Sequence, residues 1–356
     1  MTPQAPPATM PGEQIAAPGP AMSMTFKAMA SNVTVQIVDP SPTAAVALDA
    51  ARQVFARVEA ACTRFDPASP LMLANQAGTD WSQVPGECYQ ALVEAEYAHR
   101  LTDGLFDPRV LQTLVGLGYD RTLPFADGTV SLTSHGSDPA AVPAPFLRPG
   151  AQTTGPGDVG SEPAARTEPW APQFDAASSS VAIGPKPVDL GGIGKGLAVR
   201  WAAQALRGAG RAHLVEAGGA CHLGGDGPEF EGWRVAVEDP AGGSEPVAVL
   251  CLADAGCATS SLRIRSWRRD GRMVHHLIDP RTGRSAVGGL AAVTVVDADP
   301  ALAEVWSKAL LIVGSDEIGS LADAHGLAAL WVRSDGVMRY SRAMEPALMW
   351  VRAGVR

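Results

Sequence analysis

The sequence has no C-x-x-C pair, no H-x-H or H-x-x-x-H spacing and no continuous apolar run near its start. Each absence excludes a class. Five cysteines (Cys62, Cys88, Cys221, Cys251 and Cys257) in unpaired spacing do not build a zinc ribbon or a disulfide framework. Reduced thiols are expected instead, and with them a reducing compartment, the cytoplasm. The first basic residue is Lys27, and prolines recur at positions 3, 6, 7, 11, 18 and 20. This is neither a secretory signal nor a membrane span, and no membrane anchor is expected. Net charge is −9, so the basic face of a nucleic-acid binder is missing too. No internal repeat is visible.

What is present is a chain of 356 residues, long enough for one large domain with an ample core. Residues 1–22 read as a disordered, proline-rich tail and 346–356 as a C-terminal tail. The stretch 124–174 is rich in Gly, Pro, Ser and Ala and reads as an insertion, with a short strand expected around Gly128 to Leu132. Phe26 to Val38 alternates as a first strand. Leu48, Ala51, Val54, Phe55, Val58 and Ala61 give helical spacing across Ala44 to Cys62, and Gly86 to Leu101 is a second helix. The second half mixes strands (213–215, 233–237, 247–252, 290–296) with helices (301–313, 316–324). Hairpin turns are expected at Asp270-Gly271 and Asp335-Gly336. Strands and helices without regular βαβ alternation predict an α+β fold.

The most informative segment is Asp189-Leu-Gly-Gly-Ile-Gly-Lys-Gly196, placed just before a helix expected over Leu197 to Ala209. Glycine permits close backbone approach, and a helix N-terminus offers free N–H groups and partial positive charge to a phosphate. A P-loop would need glycine where Asp189 sits and Ser or Thr where Gly196 sits, and no G-x-G-x-x-G can be drawn. The segment is therefore an anion cradle of another kind, or a structural strand-to-helix turn.

It is accompanied by Glu216-Ala-Gly-Gly-Ala220, Ala258-Thr-Ser-Ser261 and His275-His-Leu-Ile-Asp-Pro-Arg-Thr-Gly283. Upstream lie Thr63-Arg-Phe-Asp-Pro67 and Thr102-Asp-Gly-Leu-Phe-Asp-Pro108. In this order the segments resemble the ApbE family of FAD:protein FMN transferases, from about Phe26 to Arg342. The resemblance implies an α+β, T-fold-related arrangement of mixed sheets packed with helices. It implies FAD as substrate, cleaved so that FMN passes to a threonine of a target flavoprotein and AMP leaves. FAD hydrolysis, or flavin binding without catalysis, are the alternatives.

The resemblance also assigns residues. His276 is expected as general base, since imidazole titrates near neutrality, and adjacent His275, on the opposite strand face, as structural. Met29, Leu105, Phe106, Asp107 and Asp189 are expected against the flavin, Lys195 at the dinucleotide, and Gly218, Gly219, Thr259, Ser260, Ser261 and Asp279 around the ligand. The arginines 263, 265, 268, 269 and 272 form either a solvated hairpin edge or a contact with phosphate or an acidic partner.

The metal segment departs from the family pattern. Relatives commonly place Asp and Thr one helical turn apart as Mg²⁺ ligands, whereas this chain has Glu304 and Lys308, and Ala220 where an Asp is usual. Magnesium takes oxygen ligands, and an ammonium cannot be one. Gly192 and Glu304 remain candidate ligands, and Glu304 with Lys308 at i, i+4 predicts an ion pair. Three accounts stay open: Lys308 supplies part of the metal's charge, Glu304 and Glu216 form a rearranged Mg²⁺ site, or transfer is lost and flavin binding kept.

Overall fold

Alternation of apolar side chains builds the central sheet of this chain, seen here as a computed structural model that describes residues 20–123, 125, 130–132, 169–263 and 265–352. Its strands are β1 (Ala21–Ala28), β2 (Ser31–Val38), β3 (Ala212–Ala217), β4 (Ala220–Gly224), β5 (Ala255–Ser261), β6 (Leu290–Asp297), β7 (Ala328–Arg333) and β8 (Met338–Tyr340). They lie side by side in chain order, each antiparallel to the next. Because side chains alternate along a strand, Val33, Val35 and Ile37 share one face with Val215, Ala258, Val293, Val295 and Trp331. That face carries the main core. The other face presents Ala212, Leu223, Leu330 and Val332 to a smaller sheet of Trp233–Val237, Ala248–Leu252 and Leu348–Val351.

The helices are α1 (Ala44–Cys62), α2 (Pro70–Ala77), α3 (Gly86–Leu101), α4 (Leu111–Gly116), α5 (Gly194–Ala205), α6 (Pro300–Val313) and α7 (Ile318–Ala324). Of these, α1, α5, α6 and α7 cover the first face, while α2 and α3 pack in a second cluster behind α5 and α6, and α4 in a third. The expected stripe of α1, from Leu48 to Ala61, is buried along its length. Helix α6 starts where Asp299 caps Ala301 N–H at 2.9 Å with Pro300 in the first turn. Helix α5 crosses α6 at Gly196, where an added Cβ would lie 2.6 Å from Ala301 Cα. Glycine is required there, and the contact sets the N-terminus of α5 against the first turns of α6.

Several boundaries differ from the sequence reading. Phe26 to Val38 spans the turn of a hairpin and is not one strand, because Met29 and Ala30 both take positive φ and reverse the chain. Ala21 and Met22 belong to β1, so the ordered chain reaches into the expected tail; residues 1–19 lie outside the described residues. At the other end Leu348–Val351 is no tail but pairs with Ala248–Leu252. Within 124–174, Val130–Leu132 is a strand as expected, paired with Ser266–Arg269. Gln173–Asp175 joins another small sheet, and residues 133–168 are outside the described set. Asp270-Gly271 and Asp335-Gly336 do turn hairpins. The Thr259–Ser261 run forms the C-terminal end of β5. No described helix is long and apolar enough to cross a membrane.

Candidate active site

The sequence folds one hairpin turn and the glycine-rich start of α5 toward the same cavity. The β1–β2 turn holds Met29 (φ 51°) and Ala30 (φ 56°) in the left-handed region, which costs non-glycine residues roughly 1 kcal/mol or more each. Glu59 on α1 fixes the turn by accepting Met29 N–H at 2.9 Å. Met29 then borders a cavity of about 380 Å³. The same cavity is bordered by Leu105, Phe106 and Asp107 from the segment after α3, by Asp189 to Gly192 and Lys195, and by His276 and Lys308. Among the expected residues these are the ones the fold brings together.

Lys195, in the first turn of α5, and Lys308, on α6, converge on one buried carboxylate. Glu304 Oε1 accepts from Lys195 Nζ and lies 3.1 Å from Lys308 Nζ. Its Oε2 accepts the Gly196 N–H at 2.7 Å. The chain has four lysines, Lys27, Lys186, Lys195 and Lys308, and two of them meet here. Burial opposes ionisation of Glu304, but the two ammonium charges outweigh it and hold its pKa at about 2. Burial also pushes Lys308 down to about 8, with the Glu304 charge opposing. One anion therefore faces two cations, and the cluster carries a surplus positive charge at the cavity wall.

This donor set does not fit Mg²⁺. The ion demands a close octahedron of oxygens, while both Glu304 oxygens are engaged by ammonium or N–H donors. The Lys308 side chain lies beside Gly192: a Cβ built on Gly192 would stand 3.6 Å from Lys308 Cδ. Among the described residues no group of three His, Cys, Asp or Glu is placed to hold a metal. Glu216 does not supply the missing ligand, since its Oε1 closes the β3–β4 turn by accepting Gly219 N–H at 3.2 Å. In this structure Gly192 is a close-packing glycine and Glu304 an ion-pair centre.

His276 is half-buried and borders the cavity. Its Nδ1 lies 3.3 Å from the Arg265 carbonyl, which can only accept, so the proton sits on Nδ1 and Nε2 is left bare. Burial first, then the charges of Arg265 and Lys308, holds its pKa well below 6.5. His276 is thus neutral at physiological pH and able to take a proton. Neighbouring His275 instead packs with Nε2 at 2.8 Å from Ala286 O.

Other expected residues sit elsewhere. Thr259, on the sheet face away from the helices, pairs through Oγ1 with Thr294 Oγ1 at 2.8 Å, while Ser260 Oγ pairs with Ser307 Oγ at 2.8 Å between sheet and α6. Ser261 Oγ accepts Arg263 N–H at 3.2 Å. Asp279 holds Arg281 and the loop after it, with Gly283 N–H donating to its carbonyl at 2.8 Å. None of these borders the cavity, because their polar groups are spent on local structure. Gly218 and Gly219, both with positive φ, form the β3–β4 turn, where Gly218 packs under Ser31 and within reach of the Lys195 side chain.

The sequence reading missed Arg64, Tyr119 and Glu59, all of which border the cavity. Of the grouped arginines only Arg265 borders it. Arg64 stood inside a quoted motif, and nothing in its spacing distinguished it from a surface arginine.

Comparisons with known proteins bear on the family and the fold. The family model described as ApbE family matches residues 29–331. The FAD:protein FMN transferase of Salmonella typhimurium is 31% identical over 151 residues, 42% of this chain and 43% of that protein. The Vibrio cholerae protein of the same name is 31% identical over 166 residues, 45% of this chain and 50% of that protein. The chain thus spans half the length, or less, of these curated relatives. Among solved structures, the ApbE protein of Thermotoga maritima superposes with a TM-score of 0.73 at 24% identity, covering 92% of this chain and 99% of that one. The flavinyl transferase ApbE of Pseudomonas stutzeri gives 0.72 at 21%, covering 94% and 98%. Those likenesses establish the shared fold.

Proposed function

Since the chain belongs to the ApbE family, we propose that it is an FAD:protein FMN transferase whose diphosphate site is cationic by virtue of its own lysines. The observation that carries this reading is the meeting, in one cavity, of a neutral histidine with a bare Nε2 and a lysine pair of surplus positive charge. The flavin end of FAD lies against Met29, Leu105, Phe106 and Asp107, and the diphosphate against the N-terminus of α5, Lys195 and Lys308. Gly218 and Gly219 flank that helix start.

In the reaction the acceptor threonine hydroxyl attacks the phosphorus on the FMN side. A new O–P bond forms, the anhydride P–O bond breaks, and AMP leaves with its electron pair. The hydroxyl proton passes to His276 Nε2. Lys195 and Lys308 stabilise the charge that develops on the diphosphate oxygens, and the α5 N–H groups add fixed dipoles. No step is assigned to Mg²⁺. The partner is a flavoprotein bearing the acceptor threonine, and five free thiols favour a reducing, cytoplasmic setting.

The test is incubation with FAD and a threonine-bearing flavoprotein domain, read by AMP release and by the acceptor's mass. Transfer gives AMP and an acceptor heavier by one FMN. AMP with free FMN indicates hydrolysis, and intact bound FAD indicates a binder; either overturns the transferase reading.

A further inference from the structure

Arg64 is held in an unusual setting. Its Nε lies 2.8 Å from Asp189 Oδ2, with both side chains buried. Its Nη1 donates to the Tyr119 carbonyl at 2.5 Å. The guanidinium carbon stands 4.2 Å from the Phe65 ring centre and 4.4 Å from that of Tyr119. The plane is therefore fixed by an ion pair, a carbonyl and two aromatic rings. Its Nη2, however, is buried with no hydrogen-bond partner. Among the buried unpartnered side-chain atoms of the described residues, it alone belongs to a residue that borders the cavity. A buried guanidinium N–H without an acceptor is costly, and a protein that fixes one so firmly has an acceptor to offer it.

The chemistry of that acceptor follows from charge. Asp189 cancels the charge of Arg64, and its other oxygen is taken by the Gly191 N–H at 2.5 Å. The pair is neutral overall and lies between aromatic rings, which suits a neutral planar heterocycle bearing carbonyls. The surplus positive charge needed for a diphosphate lies instead at Lys195 and Lys308. Adenine offers ring nitrogens but no carbonyl. The isoalloxazine has two carbonyls on its pyrimidine edge.

We infer that Arg64 reads the carbonyl edge of the flavin ring through Nη2, and that Asp189 acts through Arg64 as a positioning residue. This deepens the proposed function and rests on its flavin reading. It also changes the expectation for Asp189, whose two oxygens are engaged by Arg64 and Gly191.

The test separates the two ends of the ligand. Riboflavin and ADP are titrated into the wild-type protein and into Arg64→Met, Arg64→Lys and Asp189→Asn, with circular dichroism as the folding check. Arg64→Met weakens riboflavin by at least about tenfold, the worth of one charge-assisted bond, and leaves ADP unchanged. Arg64→Lys restores little, because an ammonium lacks the planar fork. Asp189→Asn weakens riboflavin less. On the unaltered protein, 2-thioriboflavin or 4-thioriboflavin binds more weakly than riboflavin, since sulfur is the poorer acceptor; this arm stands even where a variant does not fold. Equal loss of ADP and riboflavin affinity assigns Arg64 to phosphate and overturns the inference. So does unchanged riboflavin binding in folded Arg64→Met, or equal affinity for riboflavin and both thio analogues. A wild-type protein that binds ADP but no flavin overturns the flavin reading itself, a result distinct from these.

Discussion

Two ionic clusters tie α5 to α6, and they carry opposite surpluses. At the N-terminal turn of α5, Lys195 and Lys308 share Glu304, two cations to one anion, with side chains 11%, 12% and 3% exposed. One turn further along, Arg200 binds Glu94 at 2.7 Å and Asp299 at 2.6 Å, one cation to two anions, with 19%, 27% and 27% exposed. The outer cluster staples α3, α5 and the cap of α6, and its surplus negative charge meets solvent. The inner cluster keeps its surplus positive charge against the cavity, where the proposed function puts the diphosphate. Both join the same helices, so geometry alone does not separate them. The sign of the excess charge does: on the proposed reading it makes one a fastening and the other a site for an anion.

The contrast is sharpened most by removing the base beside the inner cluster. His276→Ala is expected to slow FMN transfer on the order of 10²–10⁴-fold while FAD binding, measured by fluorescence quenching, stays near wild type. Next comes Lys308→Met, which removes the surplus charge but leaves Glu304 paired with Lys195 and Gly196 N–H. A loss of about 10²-fold in kcat is expected, the usual scale for deleting one charge-stabilising donor, with a melting temperature that does not fall. A large drop in melting temperature with unchanged kcat would move this cluster into the fastening class.

A pH profile sharpens the same point with a smaller effect. Lys308 is charged below about 8 and loses its proton as pH rises through that value. Because kcat/KM reports groups of the free enzyme, it should fall about tenfold per pH unit above 8 and should do so less in Lys308→Arg. His276, held well below 6.5, is already unprotonated across the neutral range, so no acid limb is expected near 6.5. Smallest is the outer cluster: Arg200→Met leaves Glu94 and Asp299 without their cation. Partial exposure limits the cost to about 1 kcal/mol, a fall of roughly 2 °C in melting temperature, with transfer within about twofold of wild type.

Much of this was legible in the sequence, for physical reasons that also explain the rest. The α1 stripe showed because one helix face is buried along its whole length, and the Asp270-Gly271 hairpin because that turn demands residues tolerant of positive φ. The Met29-Ala30 turn hid because nothing in those residues announces a left-handed backbone; the hairpin imposes it. The Glu304–Lys308 pair was visible as an i, i+4 spacing on a helix. Lys195 joining it was not, since that contact is made only when Gly196 lets α5 close on α6. Thr259, Ser260 and Asp279 were placed at the ligand by motif, yet each hydroxyl or carboxylate satisfies a neighbour within the fold.

The most direct measurement is AMP release from FAD, with acceptor present, by protein stripped with EDTA and by the same protein supplied with Mg²⁺. A lysine-built cationic site predicts transfer in EDTA at a rate within about twofold of that with Mg²⁺. Transfer abolished by EDTA and restored by Mg²⁺ would contradict it, and would mean that Glu304 gives up its lysines to a metal.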